Sequence, residues 1–167
     1  MSQTVVVRVF AGILFLLVSW IAYTQNQGKP PQLTLNKVKD DLYEIEGDGG
    51  NVAVYLTNEG VILVDDKFEQ DHDNIVAKVK SVTSQPVKYV LSTHYHADHS
   101  GGNAKFLPTA EIISTANART NIVEHKQSNA PPGVAPARVV FTEESAVFLG
   151  GKEAAAWWSG PRRLTKR

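Results

Sequence analysis

The chain has 167 residues, enough for one domain or for one domain with a targeting segment. It carries 17 basic and 17 acidic side chains, so the formal charge is zero and gives no electrostatic reason to expect nucleic acid as a partner. It has no cysteine, which excludes disulfides, thiolate metal ligands and a cysteine nucleophile, while an apolar fraction of 43% suffices for a packed core.

The chain opens on an apolar stretch. Val5, Val6 and Val7 precede Arg8, and the run from Val9 to Tyr23 is broken by the single polar residue Ser19. A membrane span needs about 20 such residues, and a shorter run suits the core of a signal peptide. Ala22 offers a small residue at the −3 position of a cleavage site, but Thr24 stands at −1. Residues 1–24 therefore read as a signal peptide or a retained membrane anchor, which implies export to the periplasm or the cell exterior. Residues 25–32 are a polar, proline-containing linker.

The following pattern is one of short strands. Leu33, Leu35 and Val38 mark the first, and Leu42-Tyr43-Glu44-Ile45-Glu46 alternates as the second. Gly47-Asp48-Gly49-Gly50 is a turn cluster. Asn51 to Thr57 and Val61 to Val64 are apolar strands joined by Asn58-Glu59-Gly60, a hairpin signal. Asp65-Asp66 ends the second of these.

Helical spacing takes over at Ile75, Val76, Val79 and Val82, with polar residues on the other face, and Gln85-Pro86 stops it. Val87 to Leu91 is a buried strand. Gly101-Gly102-Asn103 opens a short helix through Phe106. Glu111 to Ser114 reads as a strand, Ala116 to Gln127 as a helix, and Asn129 to Pro136 as a loop. Val139-Val140-Phe141, Ala146-Val147-Phe148 and Lys152 to Trp158 read as the last strands. The order of elements predicts a layered α/β domain.

Of five histidines, three fall in His94-Tyr95-His96-Ala97-Asp98-His99, directly after the buried strand. In an extended segment, side chains two apart share a face, so His94 and His96 reach one metal together and Asp98 continues that face. His99 points elsewhere and can serve a second ion. Imidazole and carboxylate suit zinc and similar divalent ions. Two such ions about 4 Å apart polarise a carbonyl and lower the pKa of a bridging water, with no need of a serine or cysteine nucleophile. A solvated histidine-rich turn is the plainer alternative, but it leaves the strand before the cluster and Ser100-Gly101-Gly102-Asn103 after it unexplained.

The stretch Tyr89-Val90-Leu91-Ser92-Thr93-His94-Tyr95-His96-Ala97-Asp98-His99-Ser100-Gly101-Gly102 closely resembles the signature of the metallo-β-lactamase superfamily. The resemblance extends from Leu33 to Trp158, so the domain expected is 33–158, with 159–167 a basic tail. It implies an αββα sandwich with metals at one edge, in which His94 and His96 bind a first zinc and Asp98 and His99 a second. Asp98 would also orient the attacking water, and Asp65 would brace the ligands from its strand end; a plain turn aspartate is the alternative for Asp65. The implied reaction is hydrolysis of an ester, thioester, lactone or lactam bond in a small-molecule substrate. His72, in Glu69-Gln70-Asp71-His72-Asp73, and His125 read as surface side chains. Trp157-Trp158 reads as core or strand rather than as a substrate wall.

The sequence departs from the family's pattern after Phe148-Leu149-Gly150-Gly151. The family places a third histidine for the first metal in a Gly-x-x-His turn and adds a later aspartate and a final histidine, whereas here no histidine follows His125. The expectation is a C-terminally incomplete member, the first part of the sandwich with one sheet face uncovered. The tail from Ser159 reads as out-of-frame or truncated sequence, or as a natural basic tail meeting anionic lipid. Such a chain is either a weak metal binder without turnover or an oligomer whose second copy completes the fold.

Overall fold

The computed structural model of the protein describes residues 32–124 and 134–157. The expected leader, His125, Trp158 and the basic tail lie outside the described residues. Among the described residues, no helix is long and apolar enough to cross a membrane.

Seven strands form one mixed sheet in sequential order: β1 (Thr34–Lys39), β2 (Leu42–Glu46), β3 (Val52–Leu56), β4 (Val61–Val64), β5 (Val87–Ser92), β6 (Glu111–Thr115) and β7 (Val139–Phe141). The first four pair antiparallel through short turns, and β4 to β7 pair parallel. Parallel neighbours need crossovers, and helices supply them. A turn of 3-10 helix (Glu69–Asp71) runs into α1 (His72–Lys80) between β4 and β5. Two single-turn helices, α2 (Ala97–Ser100) and α3 (Asn103–Phe106), join β5 to β6, and α4 (Ala116–Val123) follows β6. Strands β8 (Glu144–Leu149) and β9 (Lys152–Trp157) pair as a separate antiparallel hairpin.

Residue alternation along the central strands divides the interior in two. Val61 and Leu63 of β4, Val90 of β5 and Ile112 of β6 face the helices, where Ile75 and Val79 of α1 and Phe106 of α3 cover them. Their neighbours Ile62, Leu91 and Ile113 face the opposite way and meet Val147 of the hairpin. Helices, sheet and hairpin therefore stack as three layers, an α/β arrangement of the kind expected. Lys152 ties the hairpin to the sheet: its ammonium donates to Asp41 Oδ2 (2.5 Å) and to the carbonyl of Leu56 (2.8 Å).

Two sequence expectations are corrected. Val82, placed in the first helix by spacing, lies beyond its end. The Ser81 amide and hydroxyl both donate to the Lys78 carbonyl and close the helix there. The segment after β5 is also not extended through Asp98. Residues 93–96 bend, His96 keeps extended backbone (φ −66°, ψ 144°), and Ala97–Ser100 is a helical turn held by the Ser100 and Gly101 amides donating to the carbonyls of His96 and Ala97. Asp98 thus reaches the site from a helix, and strand periodicity does not govern it.

Candidate metal centre

The His94–His99 segment leaves the carboxyl end of the central strand β5, where crevices of open α/β sheets lie. The bend after Ser92 turns the imidazoles of His94 and His96 toward each other, with His94 Nε2 and His96 Nδ1 3.2 Å apart. The helical turn then swings His99 back beneath His94, and their ring centroids are 4.0 Å apart. His99 Nε2 stands 3.5 Å from Asp98 Oδ2. The four residues expected at the site thus meet in two pairs, whereas the three-donor cluster among the described residues is Asp65, His94 and His99.

His94, His99 and Asp98 are each held by a further hydrogen bond. His94 Nδ1 is 2.9 Å from the hydroxyl of Thr93, which leaves Nε2 free. His99 Nδ1 is 2.7 Å from Asp65 Oδ2, so its Nε2 carries the lone pair toward Asp98. The hydrogen bond to the Asp65 carboxylate raises the pKa of His99, whereas burial, aided by the neighbouring His99, lowers that of His94. Asp98 Oδ2 accepts from the amide of Gly50 at 3.1 Å.

Asp65 is buried and left-handed (φ 64°), a conformation that aspartate adopts more readily than most residues. Its oxygens also approach the donor atoms of His94 and His99, the three lying within 4.8 Å of one another, so Asp65 is a conceivable ligand by distance alone. Its hydrogen bonds favour a bracing role instead. Oδ1 accepts from the Thr93 amide (2.7 Å), and Oδ2 accepts from the Thr93 hydroxyl (2.8 Å) as well as meeting His99.

Sequence reasoning missed the tripeptide continuing from Asp65. The Asp66 amide donates to the carbonyl of His99 (3.0 Å), and its carboxylate Oδ1 accepts from the Gly102 amide (2.9 Å). Burial pushes the Asp66 carboxyl well above its usual range. Lys67 is fully buried, although nothing in its sequence neighbourhood marks it as interior. Gly49 and Gly50 read as a plain turn, yet they pack on the ligands. A Cβ on Gly49 would stand 2.5 Å from Asp98 Cβ, and one on Gly50 would overlap the His99 ring. The only available signal was the density of glycine in this turn.

His72 lies half-buried at the surface, its Nδ1 2.8 Å from the exposed carboxylate of Asp73. Its ring meets Phe106 edge-on at a centroid distance of 4.6 Å, and Asp71 beside it is buried. No ligand cluster includes His72 among the described residues. Trp157 is a strand residue, as expected, but it is 70% exposed and not core. It lines a cavity of about 350 Å³ with Val64, Leu91, Thr93, Ile113 and Phe141, next to the metal motif.

The donor set fits a metal. Ligands at about 2.0–2.1 Å on a tetrahedral zinc lie about 3.3 Å from each other. The His94–His96 and Asp98–His99 donor pairs, at 3.2 and 3.5 Å, have that separation.

Comparison with known proteins gives concordant results. A family model described as the metallo-beta-lactamase superfamily matches residues 45–154. The alkyl/aryl-sulfatase BDS1 of Saccharomyces cerevisiae is 29% identical over 83 residues, covering 48% of this chain and 13% of that protein. The probable hydroxyacylglutathione hydrolase glo2 of Schizosaccharomyces pombe is 28% identical over 79 residues, covering 44% and 31%. Among solved structures, BJP-1, a subclass B3 metallo-beta-lactamase of Bradyrhizobium japonicum, superposes with a TM-score of 0.62 at 23% identity, covering 74% of this chain and 50% of that one. The chain thus spans less than a third of these curated relatives' length and half of the solved structure.

Proposed function

Because the chain belongs to the metallo-beta-lactamase superfamily, we propose that it is a metal-dependent hydrolase whose ligands are His94 and His96 for one zinc ion and Asp98 and His99 for a second. The observation that carries this reading is the convergence of two donor pairs at the spacing of ligands on a shared ion. A zinc ion bound there supplies a Lewis acid and a water acidic enough to ionise near neutral pH.

The chain's own residues do the rest. Thr93 and Asp65 fix the ring orientations of His94 and His99, so that the outward nitrogens need no reorganisation on binding. Asp98, steadied by the Gly50 amide, holds a carboxylate oxygen where it can orient a water and accept its proton. The bond attacked is an ester, thioester, lactone or lactam carbonyl of a small-molecule substrate. Relatives named as a sulfatase, a hydroxyacylglutathione hydrolase and a beta-lactamase break different bonds, so the fold by itself does not choose among substrates. The apolar cavity lined by Val64, Leu91, Ile113, Phe141 and Trp157 beside Thr93 favours a substrate with an apolar portion.

One observation favours a second reading. Among the described residues, each donor pair supplies two ligands, and a catalytic zinc takes three from the protein. On this reading the chain binds metal weakly and turns nothing over, unless a second copy contributes donors. Export or membrane anchoring is proposed from the apolar run Val9 to Tyr23; protease protection in intact cells tests it, and a fully cytosolic chain would refute it.

The deciding experiment is zinc stoichiometry and affinity of the chain beside the double variant His94→Ala/His96→Ala. Tight binding of up to two ions, weakened in the variant, supports the metal centre and justifies a substrate screen. Equal binding in both chains refutes the assignment. Weak binding in the parent, with sedimentation unchanged by concentration, supports the second reading without a completing partner.

A further inference from the structure

One buried charge, the ammonium of Lys67, lies outside the donor pairs of the centre. Lys67 is fully buried and left-handed (φ 57°), and both conditions disfavour a lysine. An ammonium has three donors. Lys67 Nζ donates to three carbonyl oxygens of one turn: Gly47 (3.4 Å), Asp48 (3.1 Å) and Gly50. Burial lowers the pKa of Lys67, and the carboxylates of Asp71 and Asp48 oppose that shift and favour the cation. A residue needed only to fill this space would be apolar, since a buried charge carries a desolvation cost that an apolar side chain avoids.

The turn that Lys67 gathers is the one that touches the metal ligands. The Gly50 amide donates to Asp98 Oδ2. Gly49 has φ 69° and packs on Asp98, and Gly50 packs on the His99 ring, so neither position has room for a side chain. The backbone of Lys67 also grips the far end of the motif, its carbonyl accepting from the Gly102 amide at 3.2 Å. A single residue therefore holds the turn on one side of Asp98–His99 and the chain on the other.

We propose that Lys67 is a positioning residue for the Asp98–His99 half of the metal centre, acting through the turn Gly47–Gly50. This rests on the reading of residues 94–99 as a metal centre. Lys67→Met keeps most of the stem and removes all three donors. The test titrates the full chain with cobalt(II), followed by visible absorption, and measures hydrogen exchange at the Gly50 amide without metal. The wild type, Lys67→Met and Lys67→Gln are compared.

In Lys67→Met, the expected results are a lower thermal midpoint, because three turn carbonyls lose their donor, faster exchange at Gly50, and cobalt affinity weaker by roughly 10–100-fold with an altered absorption band. A purely structural role would not change the metal spectrum of a folded variant. A folded Lys67→Met chain with wild-type exchange and wild-type cobalt binding overturns the proposal. If Lys67→Met does not fold, Lys67→Gln, which is shorter and has two N–H donors in place of three, decides: weaker cobalt binding supports the proposal, and wild-type binding overturns it. If the wild type takes up no cobalt, the metal reading itself fails. Exchange at Gly50 then decides separately whether Lys67 sets the turn: loss of protection in Lys67→Met supports it, and retained protection overturns it.

Discussion

His99 uses its two ring nitrogens for different ends, Nδ1 on Asp65 and Nε2 beside Asp98. The division depends on Asp65, whose carboxylate also holds Thr93 and, through it, His94. Asp65→Asn removes the charge that fixes this tautomer. Metal affinity should fall by roughly 10–100-fold, as is typical when an outer partner of a ligand is lost, and calorimetric titration with zinc measures it. Unchanged affinity would return Asp65 to the status of a turn residue. Gly49 is a second point where one residue bears on the site. Gly49→Ala places a Cβ in left-handed backbone and against Asp98, so stability should drop by about 1–3 kcal/mol. Urea unfolding reads this directly, and a change within error would mean that the turn relaxes freely.

The elements are secured by a few polar contacts whose loss is separately measurable. α4 begins at Thr115, whose hydroxyl oxygen accepts from the Ala118 amide at 3.0 Å. Thr115→Ala should cost about 1 kcal/mol, the usual worth of such a cap, seen as a lower denaturation midpoint with unchanged slope. The hairpin β8–β9 is joined to the sheet by Lys152 and Asp41. The hydrogen bond from Lys152 lowers the pKa of Asp41 below its usual carboxylate value. A depressed folded-state value means that the stabilisation is fully present above the unfolded value and is lost as pH falls through the folded one. The gap in thermal midpoint between wild type and Asp41→Asn should therefore be widest near neutral pH and should close in acid, below about pH 4. A gap that stays constant with pH would show that this ion pair does not anchor the hairpin.

At the scale of the molecule, the interior is divided by the central sheet, and the two sides are unequal. The helix side holds most of the buried apolar residues, with Phe106 fully enclosed there. Phe106→Ala should cost about 3–5 kcal/mol and loosen α3, the element directly behind the metal motif. The hairpin side is thinner: Val147 is its buried contact, while Phe148 and Trp157 are 73% and 70% exposed. Phe148→Ser should change stability by less than about 0.5 kcal/mol. Chemical denaturation of the two variants compares the layers, and equal losses would contradict the asymmetry.

The sequence by itself determined the strands, their order of types and the candidate donor set. These are local properties: alternation marks a half-buried strand, glycine and proline mark turns, and His94-Tyr95-His96-Ala97-Asp98-His99 states its chemistry within six residues. Strand β2 and the β3–β4 hairpin lie where the alternation puts them. Local pattern failed where two distant segments compete for one space. It could not show that the chain bends after Ser92 and delivers Asp98 from a helical turn, because that path is set by amides and carboxylates of residues 65–67, some thirty positions earlier. Nor could it show that Lys67, a residue type that ordinarily seeks water, is buried among carbonyls of the Gly47–Gly50 turn. A buried charge is tolerable only where its partners are supplied, and those partners meet only once the sheet has formed.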